Sequence, residues 1–132
     1  MIVDFHTHTF PEKIADRALA SLRSKSHTVS FSDGTADGLI GRDRAAGIDL
    51  AVILPVATSP EQVQHVNDRA AELNRAQREV SASALLSFAC IHPAMEDAAG
   101  ELHRAKELGF RGVKLHPVYQ EADVDSLPFL KI

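Results

Sequence analysis

Gly47-Ile-Asp-Leu-Ala-Val-Ile-Leu-Pro-Val56 aligns without a gap on a second stretch, Gly109-Phe-Arg-Gly-Val-Lys-Leu-His-Pro-Val118. Each begins with a glycine of the kind that ends a helix, continues as a short apolar run and stops at a proline. A short unbroken apolar run is typical of a strand covered on both faces. Helix stop, strand and proline therefore recur as repeated βα units would produce them, and the alignment places His116 at the strand end that Leu54 occupies.

The rest of the chain repeats the same alternation. Further apolar runs open the chain at Ile2 and extend over Leu85–Ile91, and the segments between the runs have helical periodicity. Strands that alternate with helices indicate an α/β fold made of parallel (β/α) units. A closed (β/α)8 barrel takes about 250 residues, so about four strands in 132 residues predict the N-terminal half of such a barrel.

Local signals mark several helix ends. Thr35 is placed to cap a helix that runs to Ala46, where Gly47 would end it. Ser59 to Gln62 reads as a capping box with Pro60 in the first turn. The long helix that follows has apolar residues at helical spacing, namely Val63, Val66, Ala70, Leu73 and Val80. Asp125–Ile132 resembles the start of a further helix, so we expect either a fragment or truncated product, or a half barrel that pairs with another copy.

Composition narrows the classes of protein. The net charge of −4 provides no basic surface for nucleic acid, and no apolar run approaches the roughly 20 residues of a membrane span. The first residues have no cationic segment followed by an apolar one, so we expect no signal peptide. Cys90, the only cysteine, lies in an apolar run and reads as a buried strand residue in a reducing compartment. We therefore expect a single cytoplasmic domain over residues 1–132.

The first ten residues carry the chemistry. Asp4, His6 and His8 follow apolar Ile2 and Val3 at spacings of two, which would put the three polar side chains on one face of a strand. Neutral imidazole is the commonest protein ligand for zinc and related ions. The sequence therefore predicts a metal-binding pair at the end of the first strand.

Together these segments resemble the amidohydrolase superfamily, and more narrowly its amidohydrolase-related branch of TIM-barrel metal-dependent hydrolases and decarboxylases. The resemblance rests on Asp4-Phe-His-Thr-His-Thr-Phe-Pro-Glu12, Ala46–Pro55, Ile91-His-Pro93 and Gly109–Pro117. It runs through almost the whole chain, as the N-terminal half of that fold. It implies activation of water on a divalent metal, usually zinc, to cleave a small carbonyl- or carboxylate-bearing substrate.

The resemblance also assigns residues. His6 and His8 match the strand-one metal ligands, and Asp4 would be a supporting residue. His116 would lie close to the metal or the substrate. Lys114 matches a strand-four lysine that is carboxylated in some members of the superfamily, or else is a plain surface lysine. The family's catalytic aspartate and its other metal histidines lie on strands five to eight, so none of these 132 residues fills their places.

Several alternatives stay open. The activity could be that of a related metal-dependent decarboxylase, and a non-catalytic half barrel with a structural or assembly role is a rival of another class. An open half barrel exposes strand edges, so a homo-oligomer that covers them is an expected partner. Two other families with a His-x-His opening, the polymerase and histidinol phosphatases and the TatD-like nucleases, fit less well. The first carries ligands on strand two and the second a glutamate on strand four, where this chain has Ile53–Val56 and Val113–His116.

The remaining histidines have simpler interpretations. His65 and His103 lie among charged residues in predicted helices and are expected at the surface. His92 ends the third strand and is expected to be packed or hydrogen-bonded there rather than to bind a metal.

Overall fold

A computed structural model describes residues 1–26, 29–79 and 84–126. The chain is α/β, as predicted, and its contacts divide it into two compact units, Met1–Ile53 and Leu54–Ile132. No helix in the described ranges is long and apolar enough to cross a membrane. Most of the predicted C-terminal helix, residues 127–132, lies outside the described residues, and Asp123–Ser126 form a turn.

Unit 1 (Met1–Ile53) has a strand at each end of its sequence and two helices between them. Its elements are β1 (Val3–Thr7), α1 (Glu12–Ser26), α2 (Ala36–Ala46) and β2 (Leu50–Ile53). β1 and β2 are parallel, with Val3 opposite Leu50 and Thr7 opposite Ile53. Ala51, Val52 and Ile53 are buried, as the apolar run predicts.

The predicted ends of α2 are confirmed. The Thr35 side chain accepts a hydrogen bond from the amide of Gly38, which satisfies one of the unpaired donors of the first turn. Gly47 follows with φ 73°, a left-handed conformation that glycine adopts without steric cost.

Unit 2 (Leu54–Ile132) has helices and short strands in alternation. Its elements are a 3₁₀ turn (Pro60–Gln62), α3 (Val63–Arg78), β3 (Leu85–Ser87), β4 (Ala89–Cys90), α4 (Ala98–Glu107), β5 (Val113–Lys114) and α5 (Pro117–Gln120). β4 and β5 are parallel, with Ala89 opposite Val113. One cluster of buried residues joins Ala57, Val63, Cys90, Ile91 and Ala98, and a second joins Ala70, Ala71, Ala89, Ala105 and Phe110.

Two predicted strands are shorter than their apolar runs. The third run forms β3 and β4 with Phe88 between them, and the Phe88 ring lies over Gly112, where a Cβ atom would come closer than van der Waals contact. The fourth run forms a strand only at Val113 and Lys114. His116 instead caps α5, because Pro117 after it favours the first turn of a helix.

The predicted capping box has a different partner. Ser59 makes no side-chain cap to the 3₁₀ turn. The Gln62 Oε1 atom accepts hydrogen bonds from the amide and hydroxyl of Thr58, at 3.1 and 3.3 Å. Gln62 therefore holds the segment before the turn rather than the cap residue itself.

The buried side of α3 also differs from the predicted one. Val63 and Ala70 are buried as expected, but Asn67 and Asn74 lie beside them and are 0% and 5% exposed, whereas Val66 and Leu73 are only half-buried. Val80 lies outside the described residues. The apolar spacing identified the helix but not the polar residues that it buries.

Candidate functional site

The proposed metal-binding pair lies at the carboxyl end of β1. The Asp4-to-Thr7 step of β1 pairs with the Ala51-to-Ile53 step of β2, so β1 holds one residue more than its partner over this length. Such a bulge bends a strand and re-aims its side chains. The simple alternation from Asp4 to His8 is therefore interrupted, and burial shows it: Thr7 is buried, whereas both Phe5 and His6 are exposed.

The two imidazole rings nevertheless lie side by side. Their centroids are 5.0 Å apart and their planes meet at 65°. Two imidazoles bound through nitrogen to one tetrahedral zinc ion, about 2.1 Å from each, would have ring centres about 5 Å apart. The spacing of His6 and His8 therefore fits two adjacent positions in such a coordination shell.

Thr7 and Asp4 hold this end of β1. The Thr7 hydroxyl is buried and donates to the carbonyl oxygen of Val52 at 2.9 Å. Asp4 Oδ1 accepts from the amide of His6 at 3.2 Å. Both contacts fix the backbone that carries the two histidines, so Asp4 acts on His6 through the main chain.

Asp43 of α2 is a buried carboxylate of unit 1. It is 7% exposed, and its Oδ2 atom is buried without a hydrogen-bond partner among the described residues. Burial, followed by repulsion from Asp4, raises the pKa of Asp43 above its ordinary value. The sequence did not predict a role for this residue, because one aspartate between two arginines in a helix carries no signal of burial.

A cleft opens beside His8. Its volume is about 220 Å³, and it is lined by apolar, hydroxyl and cationic groups: Phe10, Leu19, Leu22, Arg23, Ser30, Ser32, Gly34 and His8 itself. All of these belong to unit 1. The sequence indicated no cleft here, since Ser24–Gly34 reads only as a polar loop.

The strand-four candidates lie in unit 2. Lys114 is half-buried at the end of β5, opposite Cys90. His116 is also half-buried; its Nδ1 atom accepts from the amide of Tyr119 at 3.4 Å, and the two rings are 4.4 Å apart. His116 thus serves as the cap of α5, and its role near a metal or substrate stays a prediction, as does that of Lys114.

Gln120 joins three segments of unit 2 and was not anticipated. It is buried, its Oε1 atom accepts from the amide of His116 at 2.8 Å, and its Nε2 atom donates to the carbonyls of Ala57 and Ile91 at 3.1 and 2.6 Å. The side chain satisfies backbone groups that have left the strand ladder. Gln120 therefore fixes the position of His116.

The simpler interpretations of the other candidates are confirmed. His65 and His103 are exposed. His92 is buried, and its Nδ1 atom accepts from the amide of Ala94. Cys90 is 1% exposed, and burial raises the pKa of its thiol to about 12, so at neutral pH it is not the thiolate that a nucleophile requires.

Within residues 1–26, 29–79 and 84–126, no three His, Cys, Asp or Glu side chains form a group that could hold a metal ion. The described residues thus bring two imidazoles together at the end of β1, without a third such group beside them. Comparison with protein-family models, with curated proteins and with solved structures finds no match to this chain.

Proposed function

We propose that this chain is the N-terminal half of a (β/α)8 metal-dependent hydrolase that acts on a small carbonyl- or carboxylate-bearing substrate. The observation that carries the proposal is the pair of imidazole rings, 5.0 Å apart, at the carboxyl end of a parallel strand. Active sites of (β/α)8 barrels are built at that end of the strands. The residues Asp4-Phe-His-Thr-His8 support the amidohydrolase-like form of this chemistry.

The fold supports the proposal at the level of single units. β1 and β2 are parallel neighbours joined through α1 and α2, and β4 and β5 are parallel neighbours joined through α4. Parallel strands joined through helices are the repeating element of a (β/α)8 barrel.

The residues present fit a divalent metal in part. His6 and His8 would hold it, and Asp4 would keep the backbone of His6 in place through the contact at 3.2 Å. When bound, such an ion acts as a Lewis acid and lowers the pKa of water. The further ligands and the aspartate that moves the proton would come from a segment that completes the barrel, on the same chain or on another subunit.

Zinc titration tests the pair directly. We expect the wild-type chain to bind one zinc ion weakly through these two imidazoles, and His6→Ala/His8→Ala to lose that binding, measured by direct calorimetric titration. His65→Ala/His103→Ala removes the same number of imidazoles from exposed helix positions and should leave zinc binding unchanged.

The outcome decides between the two classes of protein. The metal site is disproved if His6→Ala/His8→Ala binds zinc as the wild type does. It is also disproved if the wild-type chain does not bind zinc. A structural or assembly module would then be the better interpretation.

A further inference from the structure

The cleft beside His8 has the composition of a site for a small organic anion. Among the described residues that line it, Arg23 has a permanently charged side chain, and none of them is a carboxylate. Arginine is always charged near neutral pH and has five N–H donors in a planar fork. One donor, on Nη2, makes a long contact of 3.5 Å with the carbonyl of Ser30, which leaves the fork able to bind a carboxylate.

Hydroxyl groups lie on the same side. Ser30 Oγ donates to the carbonyl of Ser32 at 3.1 Å, and the two hydroxyl oxygens are 3.4 Å apart. The pair gives the cleft neutral hydrogen-bonding groups next to the guanidinium. A carboxylate held by Arg23 would meet no negative side chain among the described residues that line the cleft.

The rest of the cleft is mainly apolar. Phe10, Leu19 and Leu22 line it, and Leu19 packs against Gly34, where a Cβ atom would lie 3.2 Å from Leu19 Cδ1. Gly34 has φ 73°, so the chain turns there without a side chain that would narrow the cleft. An apolar cavity of about 150 Å³ holds benzene, so 220 Å³ accommodates a ring-sized group and a carboxylate.

We propose that this cleft binds a small hydrophobic carboxylate, with Arg23 on the carboxylate and Phe10, Leu19 and Leu22 around the apolar body. His8 lines the same cleft, so the ligand would lie next to the proposed metal pair. That this carboxylate is a substrate rests on the proposed function. That the cleft binds it does not. Arg23 is then the residue that selects anionic over neutral ligands.

Benzoate and benzamide test this selection because they share a shape and differ in charge. In metal-free protein, we expect benzoate to bind more tightly than benzamide. Calorimetry or NMR titration measures both affinities. Arg23→Gln should weaken benzoate binding by about 10- to 100-fold, the loss expected for a hydrogen-bonded charge, and leave benzamide binding unchanged. Arg17→Gln removes an exposed arginine of the same helix and should change neither. Leu19→Ala should weaken both ligands.

Three results would each overturn the proposal. They are no binding of benzoate, equal affinity for benzoate and benzamide, and an Arg23→Gln variant that binds benzoate as the wild type does. Arg23 is exposed, so its replacement leaves the core intact, and circular dichroism checks the fold. The assay contains no metal, and zinc titration contains no benzoate. Failure of the cleft and failure of the metal pair are therefore separate results.

Discussion

The carboxylate of Asp43 has one oxygen, Oδ2, that is buried away from water. Its Oδ2 atom has no partner within the described residues, and burial together with Asp4 raises its pKa. A raised pKa means that the folded chain binds this proton more tightly than the unfolded chain does. The group therefore favours folding most below the ordinary aspartate pKa, and this contribution is lost as the pH rises through the folded value.

Replacing Asp43 with Asn should stabilise unit 1 at neutral pH by about 1 kcal/mol, because the neutral amide avoids the cost of a buried charge. The difference from wild type should shrink as the pH falls through the raised pKa of folded Asp43, because the wild-type carboxyl is then protonated. Urea denaturation at several pH values measures both effects. Asp37→Asn, at an exposed position in the first turn of α2, should instead cost a few tenths of a kcal/mol. A destabilised Asp43→Asn variant at pH 7 would contradict this account.

At the scale of elements, α3 is joined to the neighbouring strands by amide side chains. Asn67 accepts from the amide of Cys90 at 2.8 Å and donates to its carbonyl at 3.0 Å. Asn74 pairs in the same way with Ser87, at 2.7 and 2.9 Å. Each asparagine therefore satisfies the backbone amide and carbonyl of one strand residue, and the two side chains connect α3 to β4 and to β3.

Asn67→Ala should reduce the free energy of unfolding by about 2–4 kcal/mol, since it leaves the buried amide and carbonyl of Cys90 without their partner. Gln64→Ala, an exposed position of the same helix, should stay within about 0.5 kcal/mol of wild type. Urea denaturation of the three proteins gives the comparison. Equal losses in the two variants would show that the asparagine is not required.

The helix pattern shows how far sequence reasoning reached at this scale. Apolar residues at helical spacing predicted α3, and the cap residues Thr35 and Gly47 predicted α2. Both signals act over a few residues. The same spacing could not show that Asn67 and Asn74 are buried. Their partners, Cys90 and Ser87, lie 23 and 13 residues away in the chain.

For the whole molecule, the pH dependence of the free energy of unfolding is the sum of contributions from carboxylates whose pKa values shift in opposite directions. Glu101 in unit 2 is 3% exposed; burial opposes its ionisation, but hydrogen bonds from Arg104 and Asn67 outweigh burial and lower its pKa. Arg104 also forms an ion pair with Asp68 at 2.6 Å, so the ion pairs of Arg104 with Glu101 and Asp68 link α4 to α3. A lowered pKa gives stability that is present above the ordinary glutamate value and is lost as the pH falls through the folded one.

Glu101→Gln should therefore be less stable than wild type by about 1.5–3 kcal/mol at pH 7, because a hydrogen-bonded charge is lost. The gap should begin to narrow as the pH falls below the ordinary glutamate pKa, and it should close once the pH has passed through the lowered pKa of folded Glu101. Glu107→Gln, at an exposed position of α4, serves as the control and should follow the wild-type curve. A constant gap across the pH range would exclude ionisation of Glu101 as the cause.

The sequence by itself determined the order of helices and strands, the caps of α2 and the presence of two histidines two residues apart. These features depend on side chains that are near one another in the chain. Tertiary structure decided the bulge in β1, the division of the third apolar run into β3 and β4, the burial of Asp43, and the cleft that joins His8 to Arg23. Each of these depends on contacts between residues far apart in the chain, and local spacing does not specify such contacts.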